Sequence, residues 1–513
     1  MKKSKKKFQS YFSREVIVTT LIFSMVWAVL TYFLFFFNLT NQVGDTTFVA
    51  QVLNNFKYTY RMQTTYYTST TESIDHVWYK KAEEVCNMDL ETKFTNTPWG
   101  HHYFIAYALI PLARVMDVQF LIALLHAGIY TSVLVFSYVF ARMKRLNVIL
   151  ALLFTILVLQ HPLWDTGLTG QFYFNRFFLP FSALTILLLE KKKSNYLFIG
   201  IAGLLAASTN EIYGIIIFMI MLSHMWIRRK IDIKVLFLAI LLLATSVVST
   251  IYIQKTFPLG STQTDSLART FSGNIHTTTQ YVWSNIQDPK TQTFLIVNIF
   301  SMGIFVFFDV WLIAPLVLVM LPNLLISVGG AEKIGWSSHY HTGYFIPLIW
   351  LSLLGLSKLN IKPRLQAAFI LCCIVLIAYI NPYDLYRNQK PNFVPKKLFQ
   401  NFDYYRTHGK FSLDFRRRLR NAVKDGEKVS APEAIAYNFF DHTMYYYPMG
   451  IDSVDVVLLK VDKTKTGDKK YYSINYGHQD PDLDACIIER MKKGGFDFSD
   501  PIIVDGWAVI RRK

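Results

Sequence analysis

The chain has 513 residues, of which 52% are hydrophobic and 16% aromatic, and it carries a formal net charge of +18. This apolar content excludes an ordinary soluble protein and is typical of a protein with several membrane-spanning helices. Much of the positive charge lies in short clusters between apolar runs, where membrane topology explains it better than binding to nucleic acid does.

A lysine-rich start precedes the first apolar run, in the sequence MKKSKKKFQSYFSREVIVTTLIFSMVWAVLTYFLFFF. This order resembles a secretory signal peptide, but the apolar part is too long and lacks a small-residue cleavage site. We therefore expect an uncleaved first membrane helix, with the N-terminus in the cytoplasm.

Apolar runs predict an all-α polytopic membrane domain over residues 1–381, with about 11 transmembrane helices and a large first outer loop at 38–117. Several of these runs are shorter than a usual span, so the sequence does not define their boundaries sharply. The predicted ranges are 15–37, 118–141, 147–160, 177–189, 196–209, 212–227, 235–254, 294–308, 310–328, 343–357 and 365–381.

One further apolar piece, YFIAYALIPLARV at 103–115, is shorter still and contains a proline. If it does not cross the membrane, the basic clusters at 141–145, 190–194, 228–234 and 357–364 share a side with the N-terminus. Cytoplasmic loops carry the excess of lysine and arginine, so we expect this piece to lie as a helix at the outer interface.

From residue 382 onward the chain becomes charged and rich in tyrosine. The segments EKVSAPEAIAYNFF, SVDVVLLKV and DPIIVDGWAVIRR predict a strand and helix, a strand, and a terminal hairpin. An odd number of crossings places this small α/β domain, residues 382–513, outside the cytoplasm. Cys86 and Cys486 would then lie on the same side, although spacing alone does not decide whether they form a disulfide.

With this topology, polar residues from separate outer loops lie near one membrane face. These are the first outer loop (38–117), the second (160–178), the third (the turn with Asn210 and Glu211) and the fifth (329–347). A carboxylate there is suited to act as a general base or to orient a substrate, and arginine with histidine is suited to bind phosphate. The candidate catalytic residues are Asp45 and Glu211, and the candidate substrate-binding residues are His101, His102, Asp165, Asn175, Arg176, Asn210, His339, Tyr340 and His341.

Each candidate also has a structural explanation. Asp45 is suited to cap a helix, His101 and His102 to anchor at the interface, and Arg176 to extend toward lipid headgroups. Glu211 is harder to explain in this way, because a charge at membrane depth is costly and usually faces a protein interior or a wet cavity.

Several segments, in this order, resemble the predicted bacterial membrane proteins grouped as domain-of-unknown-function 2079. They are GDTTFVAQVLNN, TPWGHHYFIAYALIPLARV, STNEIYGIIIF, SHYHTGYFIPLIW and EKVSAPEAIAYNFFDHTMYYYP. The resemblance covers nearly the whole chain and implies a place among the GT-C membrane glycosyltransferases, which use polyprenyl-phosphate-linked sugars at the external face. It implies that Asp45 is the base and that His101, Glu211 and Tyr340 occupy functional positions.

The early acidic site is a lone Gly44-Asp45, without the paired acidic residues of metal-dependent oligosaccharyl members of that group, so we expect no metal and no other cofactor. The chain has no Walker loop and no Rossmann glycine fingerprint, so a transferred sugar should be carried on a lipid phosphate rather than a nucleotide.

We therefore predict an integral membrane glycosyltransferase of the cytoplasmic membrane that transfers a sugar from a polyprenyl-phosphate-linked donor. Its acceptor, whether glycan, lipid or protein, does not follow from the sequence. Two alternatives stay open: a non-catalytic binder or flippase-like transporter of the same lipid, and a structural or sensory protein anchored by its helices. We see no internal repeat of the kind that many transporters contain.

Overall fold

The computed structural model describes most of the predicted membrane domain and most of the C-terminal domain. The described residues are 2–38, 45–66, 82–90, 97–98, 103–191, 195–256, 280, 283–284, 287, 289–325, 342–379, 413–463, 469–473 and 481–513. Among the candidate residues, His101, His102, His339, Tyr340 and His341 lie outside them.

Helices dominate the part of the chain before residue 380. They are α1 (Lys2–Phe33, continued by a π-helical turn at Leu34–Asn38), α2 (Asp45–Asn55), α3 (Ala82–Cys86), α4 (Phe104–Tyr107), α5 (Ile110–Val115), α6 (Val118–Met143), α7 (Val148–Gln160), α8 (Pro162–Thr169), α9 (Phe178–Glu190), α10 (Tyr196–Ala207), α11 (Tyr213–Arg228), α12 (Ile233–Thr256), α13 (Pro289–Ser301), α14 (Ile313–Leu325), α15 (Thr342–Lys358) and α16 (Pro363–Tyr379). Short 3-10 segments occupy Phe174–Phe177, Gly303–Phe308 and Val310–Leu312, and β1 (Gln63–Thr64) pairs with β2 (Thr97–Pro98).

Among the described residues, three helical segments are long and apolar enough to cross a membrane: Arg14–Phe36, Val118–Met143 and Ile233–Tyr252. The pair α7 and α8 is bent by 60° and adds a fourth if it is counted as one span. These helices indicate membrane association. By length and composition, however, the prediction of about eleven spanning helices is wrong.

The remaining apolar helices are too short to pass the same test. Helix α9 has 13 residues and α10 has 12, which is about 18–20 Å against about 30 Å of hydrocarbon. The 3-10 segment Gly303–Phe308 divides the apolar run 294–328, although its residues are themselves apolar. A polar turn ends α10 at Ala207. Hydropathy along the chain does not register such breaks.

The piece at 103–115 forms two short helices, α4 and α5, with Pro111 in the first turn of the second. Four and six residues are far below the length of a span, in agreement with the prediction that this piece does not cross the membrane.

Basic residues from several helices lie at one end of the helical bundle. The Arg142 guanidinium at the end of α6 binds the Glu15 carboxylate of α1 with two hydrogen bonds, of 2.7 and 3.0 Å. Lys144 and Arg228 share the Glu190 carboxylate, and Lys358 pairs with Asp309. Asp309, between the predicted ranges 294–308 and 310–328, therefore lies at this basic end of the bundle.

The C-terminal domain contains a mixed sheet. Its elements are α17 (Leu413–Asn421), β3 (Val429–Ala431), α18 (Glu433–Ala436), a 3-10 turn (Tyr437–Phe439), β4 (Met444–Tyr446), β5 (Val456–Lys463), β6 (Lys469–Tyr472), α19 (Pro481–Lys493), β7 (Ile502–Val504) and β8 (Trp507–Arg511). The strand order is β4-β3-β5-β8-β7, with β6 also paired to β5. The predicted strands and terminal hairpin are confirmed, and Asp505-Gly506, both with positive φ, form the hairpin turn.

Alternate residues of the sheet pack on opposite faces, as the pleat of a strand requires. Tyr446 and Leu458 join the core that continues into the helical bundle, whereas Val457 and Leu459 face a second core under α19. The sheet is therefore covered on both faces, by the first outer loop and bundle on one side and by α19 on the other.

Cys86 at the end of α3 forms a disulfide with Cys486 in α19, with a Cα–Cα distance of 6.1 Å. The bond joins the first outer loop to the C-terminal domain across 400 residues of sequence. Sequence spacing left this pairing open, and only the packing of α3 against α19 brings the two thiols together.

We expect Cys486→Ser to lower the free energy of unfolding of the C-terminal domain by about 2–4 kcal/mol, because the loop is no longer closed covalently. Thermal unfolding of the purified full chain with and without reductant measures this. Cys372→Ser, at an exposed free cysteine, is the matched control and should change nothing. Insensitivity of the wild-type melting temperature to reductant would contradict the prediction.

Candidate functional site

The start of the first outer loop contacts the second outer loop. Helix α2 begins at Asp45, and the buried Thr46 beside it accepts a hydrogen bond of 2.8 Å from the backbone N–H of Phe172. This bond brings the backbone of Asp45 close to the segment that leads into Arg176. The Asp45 side chain is not among the described ones, so its role as a base stays a prediction.

The segment after His101 and His102 contacts two further predicted segments. The Tyr103 ring lies 5.5 Å from Tyr173 and 5.7 Å from Phe174, centroid to centroid. The backbone N–H of Ile105 donates a 3.1 Å hydrogen bond to the Ser208 carbonyl, just before the Asn210-Glu211 turn. Both histidines lie outside the described residues, but the chain that follows them joins the second and third outer loops.

The end of the fifth outer loop reaches the same place. Thr342, which follows His341, shares a hydrogen bond between its hydroxyl and that of Tyr213, and the Tyr213 ring lies 4.3 Å from Phe178. Described residues of the first, second, third and fifth outer loops therefore converge at the end of the bundle where α9, α11 and α15 begin.

Arg176 is the most unusual residue of this cluster. Its side chain is 1% exposed, donates a hydrogen bond to the Tyr130 hydroxyl, and lies with Cζ 5.5 Å from the centre of the Tyr130 ring. Among the described residues, its Nε has no hydrogen-bond partner and no carboxylate forms an ion pair with it. A buried cation without a counter-charge is costly unless an anion neutralises it.

Asn175 is a second buried polar residue with an unused hydrogen-bonding atom. It is 2% exposed, and its side-chain Oδ1 has no hydrogen-bond partner within the described part of the chain. Both side chains belong to the 3-10 turn Phe174–Phe177, which leads directly into α9. An amide and a guanidinium with unused hydrogen-bonding capacity make this turn suited to a ligand with several polar oxygens.

Glu211 and Asn210 occupy the turn between α10 and α11 and are 1% and 3% exposed. Asn210 Oδ1 accepts a 3.2 Å hydrogen bond from the Ile212 N–H, which fixes the turn. Asp165, 6% exposed, lies in the first turn of α8, where a negative charge is favoured by the helix dipole. The segment around Asp165 is a helix, not the loop that the sequence predicted.

Sequence reasoning missed two residues in the middle of α6. Tyr130 holds Arg176, and His126, one helical turn earlier, hydrogen-bonds through Nε2 to the Gly167 carbonyl at 3.1 Å. Both are completely buried. The available signal was a pair of polar-tipped rings four residues apart, on one face of an otherwise apolar helix.

Gly167 in α8 packs directly against the Tyr130 side chain, because a Cβ added there would overlap the Tyr130 ring. We expect Gly167→Ala to lower the free energy of unfolding by about 1–3 kcal/mol through overpacking. Thermal unfolding of the purified chain measures this. Gly200→Ala is the control, because its new methyl would meet only the flexible end of Leu238, at 3.3 Å. Equal melting temperatures of the two variants would contradict the prediction.

The C-terminal domain contacts this region through α2. The Thr65 hydroxyl donates a 2.8 Å hydrogen bond to the Met444 carbonyl, and the Tyr66 ring lies 5.6 Å from both Phe48 of α2 and Tyr446 of β4. Burial, with a smaller effect of the Glu433 charge, raises the pKa of Tyr66 well above its usual value, so its hydroxyl stays neutral at physiological pH. The domain thereby supports the helix that begins with Asp45.

Glu190 forms a separate polar cluster at the opposite end of α9. Its carboxylate lies 2.6 Å from Lys144 Nζ, 2.9 Å from Arg228 Nη2 and 3.4 Å from His224 Nδ1, and it accepts a 3.1 Å hydrogen bond from Trp350 Nε1. Four helices meet here, and every charge has a partner, which indicates a structural role.

The described residues contain no group of three or more His, Cys, Asp or Glu side chains positioned to hold a metal ion. No protein-family model matches the chain, and no curated protein shows significant similarity to it. The family resemblance therefore depends on the quoted motifs alone, and the roles that it implies for Asp45, His101, Glu211 and Tyr340 stay predictions.

Proposed function

We propose that the protein is a membrane glycosyltransferase of GT-C type that uses a polyprenyl-phosphate-linked sugar. The observation that carries this proposal is the buried Arg176 guanidinium. Within the described part of the chain it has no carboxylate counter-charge, and its Nε donor beside Asn175 is unused. A phosphate diester or monoester would neutralise this charge and accept its hydrogen bonds. Because Arg176 is 1% exposed, access of a donor requires displacement of the aromatic segment 171–177.

The proposed reaction is a single displacement at the anomeric carbon. An acceptor hydroxyl transfers its proton to the Asp45 carboxylate as its oxygen forms a bond to the anomeric carbon. The bond between that carbon and the phosphate oxygen breaks, and polyprenyl phosphate leaves with the added negative charge. Arg176 stabilises this charge, and Glu211 orients the sugar or the acceptor.

We place this site at the extracytoplasmic face and the N-terminus in the cytoplasm. Two observations support this arrangement. The basic residues Arg142, Lys144, Arg228 and Lys358 lie at the end of the bundle opposite the candidate site, as expected for a cytoplasmic side. The disulfide from Cys86 lies on the site side, and disulfides persist in oxidising compartments.

We expect Asp45→Asn to lower the rate of sugar transfer by about 10²–10⁴-fold, because the amide cannot accept the proton of the acceptor. The measurement is transfer of radiolabelled sugar from a panel of polyprenyl-phosphate sugars by membranes containing the full chain. Asp425→Asn, at an exposed turn of the C-terminal domain, is the control and should retain wild-type transfer. Wild-type transfer by Asp45→Asn would eliminate Asp45 as the base.

A transporter of the same lipid is the second candidate. The 60° bend between α7 and α8 supports it, since broken helices with polar ends line the binding sites of many transporters. The buried His161 caps α8 at this break and lies 3.0 Å from the Ser301 hydroxyl. Movement of the intact lipid-linked sugar across a vesicle membrane without glycosidic cleavage would favour the transporter over the enzyme.

A further inference from the structure

A lateral groove lies at the basic end of the bundle, remote from the candidate active site. It has a volume of about 730 Å³ and is formed by α11, the start of α12 and α14. Its walls are almost entirely apolar, with Leu222, Met225 and Leu318 among the lining residues. Two tryptophans and two basic residues stand at its rim: Trp226, Trp311, Arg229 and Lys230.

The two tryptophans are fixed by direct contacts. Trp226 Nε1 donates a 3.1 Å hydrogen bond to the Trp311 carbonyl, and the two rings are 5.9 Å apart. The Arg229 guanidinium lies 4.3 Å from the centre of the Trp311 ring. Both indoles stay half exposed, at 50% and 43%. Tryptophan prefers the level of lipid headgroups, so the groove runs from that level into the hydrocarbon region.

The rim cations differ from four other basic residues at this end. Arg142, Lys144, Arg228 and Lys358 all bind carboxylates, whereas neither Arg229 nor Lys230 forms an ion pair within the described part of the chain. The neighbouring carboxylate of Asp232 instead accepts hydrogen bonds from the Tyr196 hydroxyl, at 2.9 Å, and from the backbone of α12. Asp309 and Asp232 interact electrostatically with Arg229 and Lys230, but not as close ion pairs. The groove therefore presents two cations without a direct carboxylate contact above its apolar walls.

We infer that this groove binds one anionic phospholipid of the surrounding bilayer, with its phosphate on Arg229 and Lys230 and its acyl chains between α11 and α14. A basic rim between membrane helices on the positive side of a protein is suited to such headgroups, while the apolar walls require a hydrocarbon occupant. This inference does not depend on the proposed transferase activity.

The test uses the purified full chain and native mass spectrometry with phosphatidylglycerol or phosphatidylcholine of identical chains. We expect wild type to retain phosphatidylglycerol preferentially, and Arg229→Gln with Lys230→Gln to weaken its binding about fivefold per removed charge. Ala314→Trp, which fills the groove, should weaken binding of both lipids. Millimolar inorganic phosphate should not displace the lipid, because it lacks the acyl chains.

Lys362→Gln with Arg364→Gln is the matched control, since both residues are exposed at the start of α16, outside the groove lining. This control removes the same amount of charge from outside the groove. It should therefore bind phosphatidylglycerol within about twofold of wild type. Equal retention of the two lipids by wild type, or equal loss of phosphatidylglycerol binding in the groove and control variants, would overturn the inference.

Discussion

Replacing Arg176 by methionine should abolish sugar transfer while leaving the thermal stability of the protein equal to or above that of wild type. The loss of transfer should reach about 10²–10³-fold, the scale for removing one group that stabilises a developing negative charge. Stability should not fall, because methionine fills a similar volume and removes a buried cation that has no counter-charge among the residues that the structure describes.

Two measurements separate this role from a structural one. Radiolabelled transfer reports the reaction, and native mass spectrometry with polyprenyl phosphate reports binding of the leaving group. Arg114→Met is the matched control, since Arg114 also lies over a tyrosine ring, 4.5 Å from that of Tyr60, but is exposed. The control should retain transfer. A large fall in the melting temperature of Arg176→Met, with unchanged lipid binding, would show that Arg176 is structural.

Replacing Glu190 by glutamine should lower the free energy of unfolding by about 3 kcal/mol. Glutamine keeps the shape and the hydrogen bond from Trp350 but leaves the Lys144 and Arg228 cations without their counter-charge. We take the lower end of the range for broken buried pairs because the Arg228 side chain is 51% exposed and partly hydrated.

Thermal unfolding of the purified chain in detergent measures this loss. Glu489→Gln is the matched control, because Glu489 forms an exposed pair with Lys493, 3.8 Å apart, and such pairs contribute little. The melting temperature should fall clearly for Glu190→Gln and hardly change for the control. Equal shifts in the two variants would mean that the Glu190 cluster contributes no more than a surface ion pair.

The sequence predicted which segments form the candidate site but not which of their residues are in contact. Sidedness, derived from basic clusters, grouped the candidate residues of four outer loops at one face, and the structure brings described residues of these four loops within contact distance. The hydrogen bonds Thr46–Phe172 and Ile105–Ser208 are examples. The sequence contained polar-tipped rings in the centre of this apolar helix. It did not indicate that one of them, Tyr130, accepts a hydrogen bond from Arg176.

The number of spanning helices was the main error. Hydropathy counts apolar residues along the chain, whereas a helix ends where local hydrogen bonding ends it. Asn195, for example, accepts a 3.0 Å hydrogen bond from Leu197 and starts α10, and Ser208 caps its other end. These caps limit α10 to 12 residues, close to the predicted range 196–209, so the error was to count so short a run as a span.

The sequence by itself determined the class of the protein, the basic end of its helices, and the strands and terminal hairpin of the C-terminal sheet, because composition, charge and local periodicity are properties of neighbouring residues. Only the tertiary structure decided the lengths of the helices, the pairing of Cys86 with Cys486, the neutralised cluster at Glu190, and the absence of a described counter-charge at Arg176. These features depend on residues distant in sequence, and the cost or gain of burying a charge is set by what packs around it.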